Sequence, residues 1–215
     1  MDYSQLKSTL DTHQVTLVAV SKTKPVEKIL PLYEKGQRIF GENRVQEMAE
    51  KYDVCPKDIS WHMIGHLQRN KVKVIAPFVS MIHSVDGLEL ATVINKLAAK
   101  HDRTIDILLQ LKIATEYSKS GYEKDTLIQD MDAILQLDNV RIRGMMGMAS
   151  FTDDQDIVSK EFQNLKETYD TIKASHFGTV PSFDTLSMGM SGDFKLAIDH
   201  GSTMVRIGSL LFGSR

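Results

Sequence analysis

Lys22 follows directly after the apolar run TLVAVS at residues 16–21. Side chains alternate along a strand, so its amine lies on the same face as Val18 and Val20. If that face points into a closed barrel, desolvation disfavours the ammonium and lowers the pKa of the amine. A neutral amine can attack a carbonyl and form a Schiff base. The alternative is a lysine whose stem lies along the strand end and whose head stays in water.

Two glycine–serine turns occur late in the chain: Ser191-Gly192 follows the run 185–190, and Gly208-Ser209 closes the run 204–208. Glycine and serine let backbone N–H groups come close to an anion, and a following helix adds its dipole. Two such turns after successive runs favour a phosphate site formed by Ser191, Gly208 and Ser209. For Ser191 the alternative is the N-cap of a helix over residues 193–200.

Arg206 and Asn43 are the remaining candidates for ligand contacts. Arg206 lies inside an apolar run, on the same face as Met204 and Gly208. A buried guanidinium needs a partner, which is either a carboxylate on a neighbouring strand or a ligand atom. Asn43 ends the run 38–43. Its amide either bonds to a ligand above Lys22 or caps the following helix.

The spacing of the histidines does not predict a metal site. His62 and His66 are four residues apart, but Gly65 and the change from strand to loop break the helical spacing of a ligand pair. No HExxH motif is present in the sequence. The single cysteine, Cys55, has no CxxC partner and is interpreted as an incidental thiol.

Eight short β-rich runs alternate with longer amphipathic segments. The runs cover residues 16–21, 38–43, 60–65, 81–86, 105–113, 140–148, 185–190 and 204–208. Helix-like segments between them include residues 26–35, 87–100, 124–135 and 156–174. This alternation predicts parallel strands joined by helices, either as an open doubly wound sheet or as a closed barrel.

The number of units favours an α/β fold of the (β/α)8 TIM barrel type. An open sheet often has a glycine-rich first turn, whereas the first turn here is SKTKPVEK. Barrel sites lie at the carboxyl ends of the strands, where the candidate residues fall. Residues 119–121, KSG, are predicted as a polar turn after the fifth strand, which is either a mobile loop over the mouth of the barrel or a simple turn.

Composition narrows the classes of partner. Lys and Arg number 26 against 28 Asp and Glu, a net charge of −2 that gives no bulk attraction to nucleic acid or to an anionic membrane. No apolar run approaches the roughly 20 residues that span a bilayer. The N-terminus does not resemble a secretory signal, and one thiol fits a reducing compartment. We expect a cytoplasmic monomer with a single domain over residues 1–215.

The motifs, in order, closely resemble one known family. They are AVSKTKP (19–25), FGENRVQE (40–47), WHMIGHLQRNK (61–71), SVD (84–86), KSG (119–121), RGMMGM (143–148), LSMGMSGD (186–193) and GSTMVRIGSLLFG (201–213). Together they resemble the YggS/PROSC family of pyridoxal phosphate (PLP) homeostasis proteins. The resemblance implies a barrel like the N-terminal domain of alanine racemase.

The resemblance also implies a set of cofactor contacts. PLP would be bound as a Schiff base on Lys22, with phosphate contacts from Ser191, Gly208 and Ser209. Arg206 would face the pyridine ring, and Asn43 would line the pocket. An arginine at the pyridine nitrogen keeps that nitrogen unprotonated and weakens the ring as an electron sink. The family is thought to manage the supply of PLP, with apo PLP-dependent enzymes as recipients.

Three hypotheses for function follow. The first is a non-enzymatic PLP carrier. The second is a PLP-dependent amino-acid racemase, which needs acid/base groups on both faces of the substrate, whereas one lysine serves only one face. We expect the second domain of the racemase to be absent, since the sequence stops soon after the eighth run. The third is a sugar-phosphate barrel, for which Glu42 and Asp86 are the only obvious carboxylates at strand ends.

Overall fold

The eight predicted strands form a closed parallel barrel. The structure is a computed structural model that describes residues 1–114 and 120–213. Its strands are β1 (Thr16–Val20), β2 (Ile39–Glu42), β3 (Ser60–Met63), β4 (Met81–Val85), β5 (Ile105–Gln110), β6 (Val140–Met146), β7 (Thr185–Ser187) and β8 (Met204–Ile207). They pair in chain order, and β8 pairs with β1 to close the ring. The predicted (β/α)8 fold is confirmed, and the open sheet is excluded.

Helices lie on the outside of the barrel. They are α1 (Tyr3–Thr12), α2 (Val26–Glu34), α3 (Val45–Val54), α4 (Val72–Ile75), α5 (Leu88–Lys100), α6 (Lys124–Leu135), α7 (Gln155–Ile172), α8 (Phe194–Asp199) and α9 (Ser209–Phe212). Helices α2 to α8 connect successive strands, α1 precedes β1 and α9 follows β8. A 3₁₀ turn (Arg69–Lys71) precedes α4, and a π-helical turn (Lys173–Phe177) extends α7. The four predicted helical segments correspond to α2, α5, α6 and α7.

Apolar side chains pack in two separate layers. The larger layer lies between the strands and the helices, and it includes Leu17, Ala19 and Phe40. The smaller layer fills the inside of the barrel with side chains from five strands: Val18, Met81, Leu108, Met146 and Met204. An added Cβ on Gly41 would lie 2.9 Å from Val18 Cγ1, so the Val18 side chain occupies the space that a side chain on Gly41 would need. The expectation that Val18 faces inward is therefore confirmed.

Part of the chain lies outside this description. Lys119 of the predicted turn at residues 119–121 is outside the described residues. Within the two described ranges, every helix is too short or too polar to cross a membrane.

Candidate functional site

The predicted site residues come together at the carboxyl ends of four adjacent strands. Barrel order places β7, β8, β1 and β2 side by side. Ser191 follows β7, Gly208 and Ser209 follow β8, Lys22 follows β1 and Asn43 follows β2. Lys22 is half-buried and lines a cavity of about 480 Å³ together with Asn43. One rim of the barrel mouth thus carries an amine, an amide and two glycine–serine turns.

The two glycine–serine turns are joined by a hydrogen bond. Gly208 N donates to Ser191 Oγ at 3.3 Å. Asp193, not Ser191, is the N-cap of α8, so the alternative role of Ser191 as that N-cap is wrong. Gly208 approaches β1 closely, since an added Cβ would lie 3.3 Å from Val20 O. Gly208 is also the N-cap of α9, and Ser209 is exposed beside it. Backbone N–H groups and hydroxyls at this corner can accommodate an anion.

Arg206 is buried without a carboxylate partner. The residue is 4% exposed, and its side chain lies in the barrel interior. Nη1 donates to Ser187 O at 2.9 Å and Ser187 Oγ at 2.7 Å, and Nη2 donates to Gly147 O at 3.0 Å. No described carboxylate forms an ion pair with it, so the carboxylate alternative is wrong. Burial lowers the pKa of Arg206 to about 10, which leaves it charged at neutral pH.

Two donors of this guanidinium remain available to a ligand. Among the described residues, no atom accepts from Nε–H or from the second hydrogen on Nη2. A buried cation with unused N–H groups is costly unless an acceptor reaches it. The ring nitrogen of a pyridine is such an acceptor, and it carries no hydrogen of its own when it accepts. The residues at the mouth therefore fit PLP: an amine for its aldehyde, a backbone cradle for its phosphate and an arginine for its ring.

A chain of buried polar side chains leads from Arg206 across the barrel. Ser187 Oγ lies 3.4 Å from His83 Nδ1, and His83 Nε2 lies 2.9 Å from His62 Nδ1. His62 Nε2 then lies 3.3 Å from Ser60 Oγ. Arginine can only donate, so Ser187 Oγ accepts from Arg206. The direction of the bonds that join Ser187, His83, His62 and Ser60 follows the tautomers of the two imidazole rings.

His62 and His83, the two histidines of this hydrogen-bonded series, are neutral. Desolvation lowers the pKa of His62 to about 3. The pKa of His83 is also held well below its usual range by desolvation, with further contributions from His62 and Arg206. The Arg206 guanidinium is therefore held by neutral acceptors, and none of them neutralises its positive charge. The sequence interpretation missed this chain, although His62, His83 and Arg206 each stand in a β-rich run.

Asn43 is positioned by a close contact with the next loop. α3 begins at Val45 with Arg44 as its N-cap, so the alternative of Asn43 as that N-cap is wrong. An added Cβ on Gly65 would lie 2.5 Å from Asn43 O and 2.8 Å from Asn43 Cα. Only a residue without a side chain lets the end of β3 lie against Asn43 in this way.

We expect Gly65→Ala to shift Asn43 and weaken cofactor binding. The added methyl group meets backbone, which cannot rotate away, so the free energy of unfolding should fall by about 1–3 kcal/mol. Urea unfolding and a PLP titration measure both effects. Gly87→Ala is the matched control, because a Cβ on Gly87 meets nothing within 4 Å. A Gly65→Ala protein that matches this control in both measurements would contradict the role given to the contact.

The carboxylates at the strand ends do not form an acid/base pair. Glu42 is buried and bonded to Ser21 and Lys51, while Asp86 pairs with the exposed His66 at 3.4 Å. The sugar-phosphate hypothesis loses the paired carboxylates on which it depended. His62 and His66 have different partners, and no group of three or more metal-binding side chains occurs within the described ranges.

Comparison with known proteins identifies the family. The family model "Alanine racemase, N-terminal domain" matches residues 2–215. A pyridoxal phosphate homeostasis protein of Aquifex aeolicus is 40% identical over 200 residues, which is 93% of this chain and 86% of the relative. The chain belongs to the pyridoxal phosphate homeostasis protein family. The resemblance seen in the motifs is thereby confirmed.

Solved structures of this family have the same barrel. PipY from Synechococcus elongatus PCC7942 has been solved without PLP, at 34% identity and a TM-score of 0.90, covering 98% of this chain and 97% of that one. Its structure with PLP bound gives 33% identity and a TM-score of 0.87, with the same coverage. Alanine racemase from Clostridium difficile 630 is 15% identical with a TM-score of 0.76, and this chain, covered in full, spans 58% of it. That likeness shows the fold alone.

Proposed function

We propose that this family member binds PLP at the barrel mouth, carries it covalently on Lys22 and serves PLP homeostasis in the cytoplasm. The observation that carries the proposal is the buried Arg206, whose unused donors face no described carboxylate, beside the joined turns at Ser191 and Gly208. PLP bound in the PipY structure supports the same ligand. One domain over residues 1–215, acting as a monomer, is sufficient for this role.

Each residue at the mouth has a separate task. PLP supplies two groups for binding. One is an aldehyde that reacts with amines, and the other is an anionic phosphate. Lys22 Nζ is the nucleophile for the aldehyde, and Ser191, Gly208 and Ser209 hold the phosphate. Arg206 donates to the ring nitrogen and keeps it unprotonated, while Asn43 lines the pocket. The histidine chain keeps Arg206 in place from below.

The proposed role is carriage of the cofactor without turnover of a substrate. An unprotonated ring nitrogen weakens the electron sink that PLP enzymes need. A single lysine can serve only one face of a bound amino acid. The relatives are named for homeostasis, which supports this assignment. Apo PLP-dependent enzymes are the proposed recipients.

Trapping the bound cofactor tests the proposal on the wild-type protein. The protein is incubated with PLP, reduced with borohydride, digested and mapped by mass spectrometry. We expect one reduced pyridoxyl group, on the peptide that contains Lys22. A label spread over surface lysines, or no label, would refute the site.

A proton-exchange assay tests the absence of turnover. The PLP-loaded protein is incubated in deuterated water with a panel of L- and D-amino acids. We expect no steady exchange of the α-proton above that of free PLP. Steady exchange that is lost in Lys22→Ala would favour the racemase hypothesis instead.

A further inference from the structure

A buried ionic cluster lies behind the loop that carries Lys22. Its members are Glu42 at the end of β2 and Glu47 and Lys51 on α3. Glu42 is completely buried, and Lys51 is 6% exposed. Lys51 Nζ donates to Glu42 Oε1 at 2.7 Å, to Glu47 Oε1 at 2.7 Å and to Ser21 O at 2.8 Å. These three bonds use all three hydrogens of the ammonium.

This cluster holds the residues on both sides of Lys22. On one side, Ser21 Oγ donates to Glu42 Oε1 at 2.6 Å, and Ser21 O accepts from Lys51. On the other side, Thr23 N donates to Glu47 Oε1 at 2.5 Å. Lys22 is thus the central residue of a three-residue segment whose neighbours are tied to one ion cluster on the outside of the barrel.

The backbone at this segment requires such support. Thr23 has φ +63°, a left-handed conformation that costs a β-branched residue energy. This turn bends the chain away immediately after Lys22, and the bond from Thr23 N to Glu47 holds it. Without the bond, the turn can relax and Lys22 can leave the position at which it lines the cavity with Asn43.

Stability alone is a weak explanation for the cluster. Buried ion pairs often add little to stability, since desolvation of the charges offsets their attraction. Burial raises the pKa of Glu42, although hydrogen bonds from Lys51 and Ser21 lower it. Glu42 Oε2 is buried and has no hydrogen-bond partner, which is a further cost. The arrangement is costly, and what it gains is a fixed geometry around Lys22.

We propose that Glu42, Glu47 and Lys51 are positioning residues that aim Lys22 at the aldehyde of the cofactor. The inference rests on the proposed function, because it assumes that Lys22 attaches PLP. Glu42 and Lys51 lie outside the cavity of Lys22 and Asn43, and Glu47 lines it but is assigned no contact with the cofactor in this scheme. They act only through the backbone and hydroxyl group of residues 21–23. The cluster should therefore control the rate at which PLP attaches to Lys22. It should not affect the noncovalent binding of the phosphate and the ring.

Lys51→Met tests the proposal, because it removes the centre of the cluster. Attachment of PLP to Lys22 is followed by borohydride trapping at successive times. Binding of pyridoxine 5′-phosphate, which has an alcohol in place of the aldehyde, is measured separately by calorimetry. We expect attachment to slow on the order of tenfold to a hundredfold, the cost typical of a misplaced reacting group. We expect the affinity for the alcohol analogue to match that of the wild type.

Two further variants make the result decisive. Glu42→Gln/Lys51→Met removes both buried charges together, so it avoids an unpaired carboxylate if Lys51→Met alone fails to fold. Lys166→Met breaks an exposed pair with Asp170 at the same helical spacing and should attach PLP at the wild-type rate. Wild-type attachment rates in the folded double variant, or a parallel loss of analogue binding, would overturn the proposal. Failure of wild-type protein to attach PLP at Lys22 would instead refute the proposed function.

Discussion

Acidification from pH 6.5 towards pH 4.5 is expected to remove several kcal/mol of folding stability. His62 and His83 are buried and neutral, and desolvation lowers the pKa of His62 to about 3. In the unfolded chain both histidines take up a proton near pH 6.5. Because their folded pKa values lie lower, the stability they contribute is complete above pH 6.5 and declines as the pH falls.

The expected size follows from proton linkage. Each histidine costs roughly 1.4 kcal/mol per pH unit below 6.5, and the pair costs roughly 3 kcal/mol per unit. Typical domains have only about 5–15 kcal/mol in total. Glu42 acts in the opposite direction, since burial raises its pKa, but it accounts for at most one proton against two. Urea unfolding at a series of pH values measures the slope directly.

A double variant assigns the slope to the histidine pair. His62→Leu/His83→Leu replaces both rings with apolar side chains, so we expect a pH dependence flatter by about two protons. His101→Gln removes an exposed histidine at the end of α5 and should keep the wild-type slope. Equal slopes for the wild type and the double variant would show that the buried pair does not control acid stability.

The sequence predicts strand starts better than strand ends. The observed strands start within one residue of the predicted runs, as for β1 at Thr16 and β8 at Met204. The predicted runs continue too far at their carboxyl ends, most clearly at residues 111–113 beyond β5 and 188–190 beyond β7. Residues 188–190 are Met, Gly and Met, small or apolar like the strands themselves, but they belong to the loop that follows β7. Apolar composition alone does not show where the hydrogen-bond ladder stops.

The positions of the candidate site residues at strand ends were predictable, because each position depends on its own strand. The inward position of Val18 needs only the alternation along β1. Two roles stayed open for Ser191 and Asn43, the N-cap of the next helix or a ligand contact. A shift of one or two residues in the start of that helix decides between them, and a sequence does not fix helix starts that closely. The structure removes the N-cap role for both residues by placing the caps at Asp193 and Arg44.

Contacts between strands and helices were not predictable in the same way. The pair His62–His83 requires that both residues face inward and that β3 and β4 have a particular register. Lys51 reads as an ordinary lysine on an amphipathic helix, and only the packing of α3 on β2 buries it against Glu42. Such pairs depend on tertiary geometry, for which a single sequence carries no direct signal.

Replacement of Lys22 by alanine is expected to abolish covalent attachment of PLP. Alanine has no amine, so borohydride should trap no pyridoxyl group on this segment, and the visible absorption of the attached cofactor should be lost. The contacts proposed for Ser191, Gly208 and Arg206 do not involve Lys22, so noncovalent binding should persist. We expect the apparent affinity for PLP to fall on the order of tenfold to a hundredfold, or about 1.4–2.7 kcal/mol.

Lys24→Ala is the matched control for this experiment. Lys24 lies two residues further along the same loop, and its Nζ donates to Gly213 O at 3.3 Å. The control removes an equal charge from the same rim of the barrel but leaves the proposed nucleophile in place. We expect Lys24→Ala to retain the trapped adduct at Lys22. An adduct that survives in Lys22→Ala and disappears in Lys24→Ala would reassign the nucleophile, because the two amines differ in reach and not in chemistry.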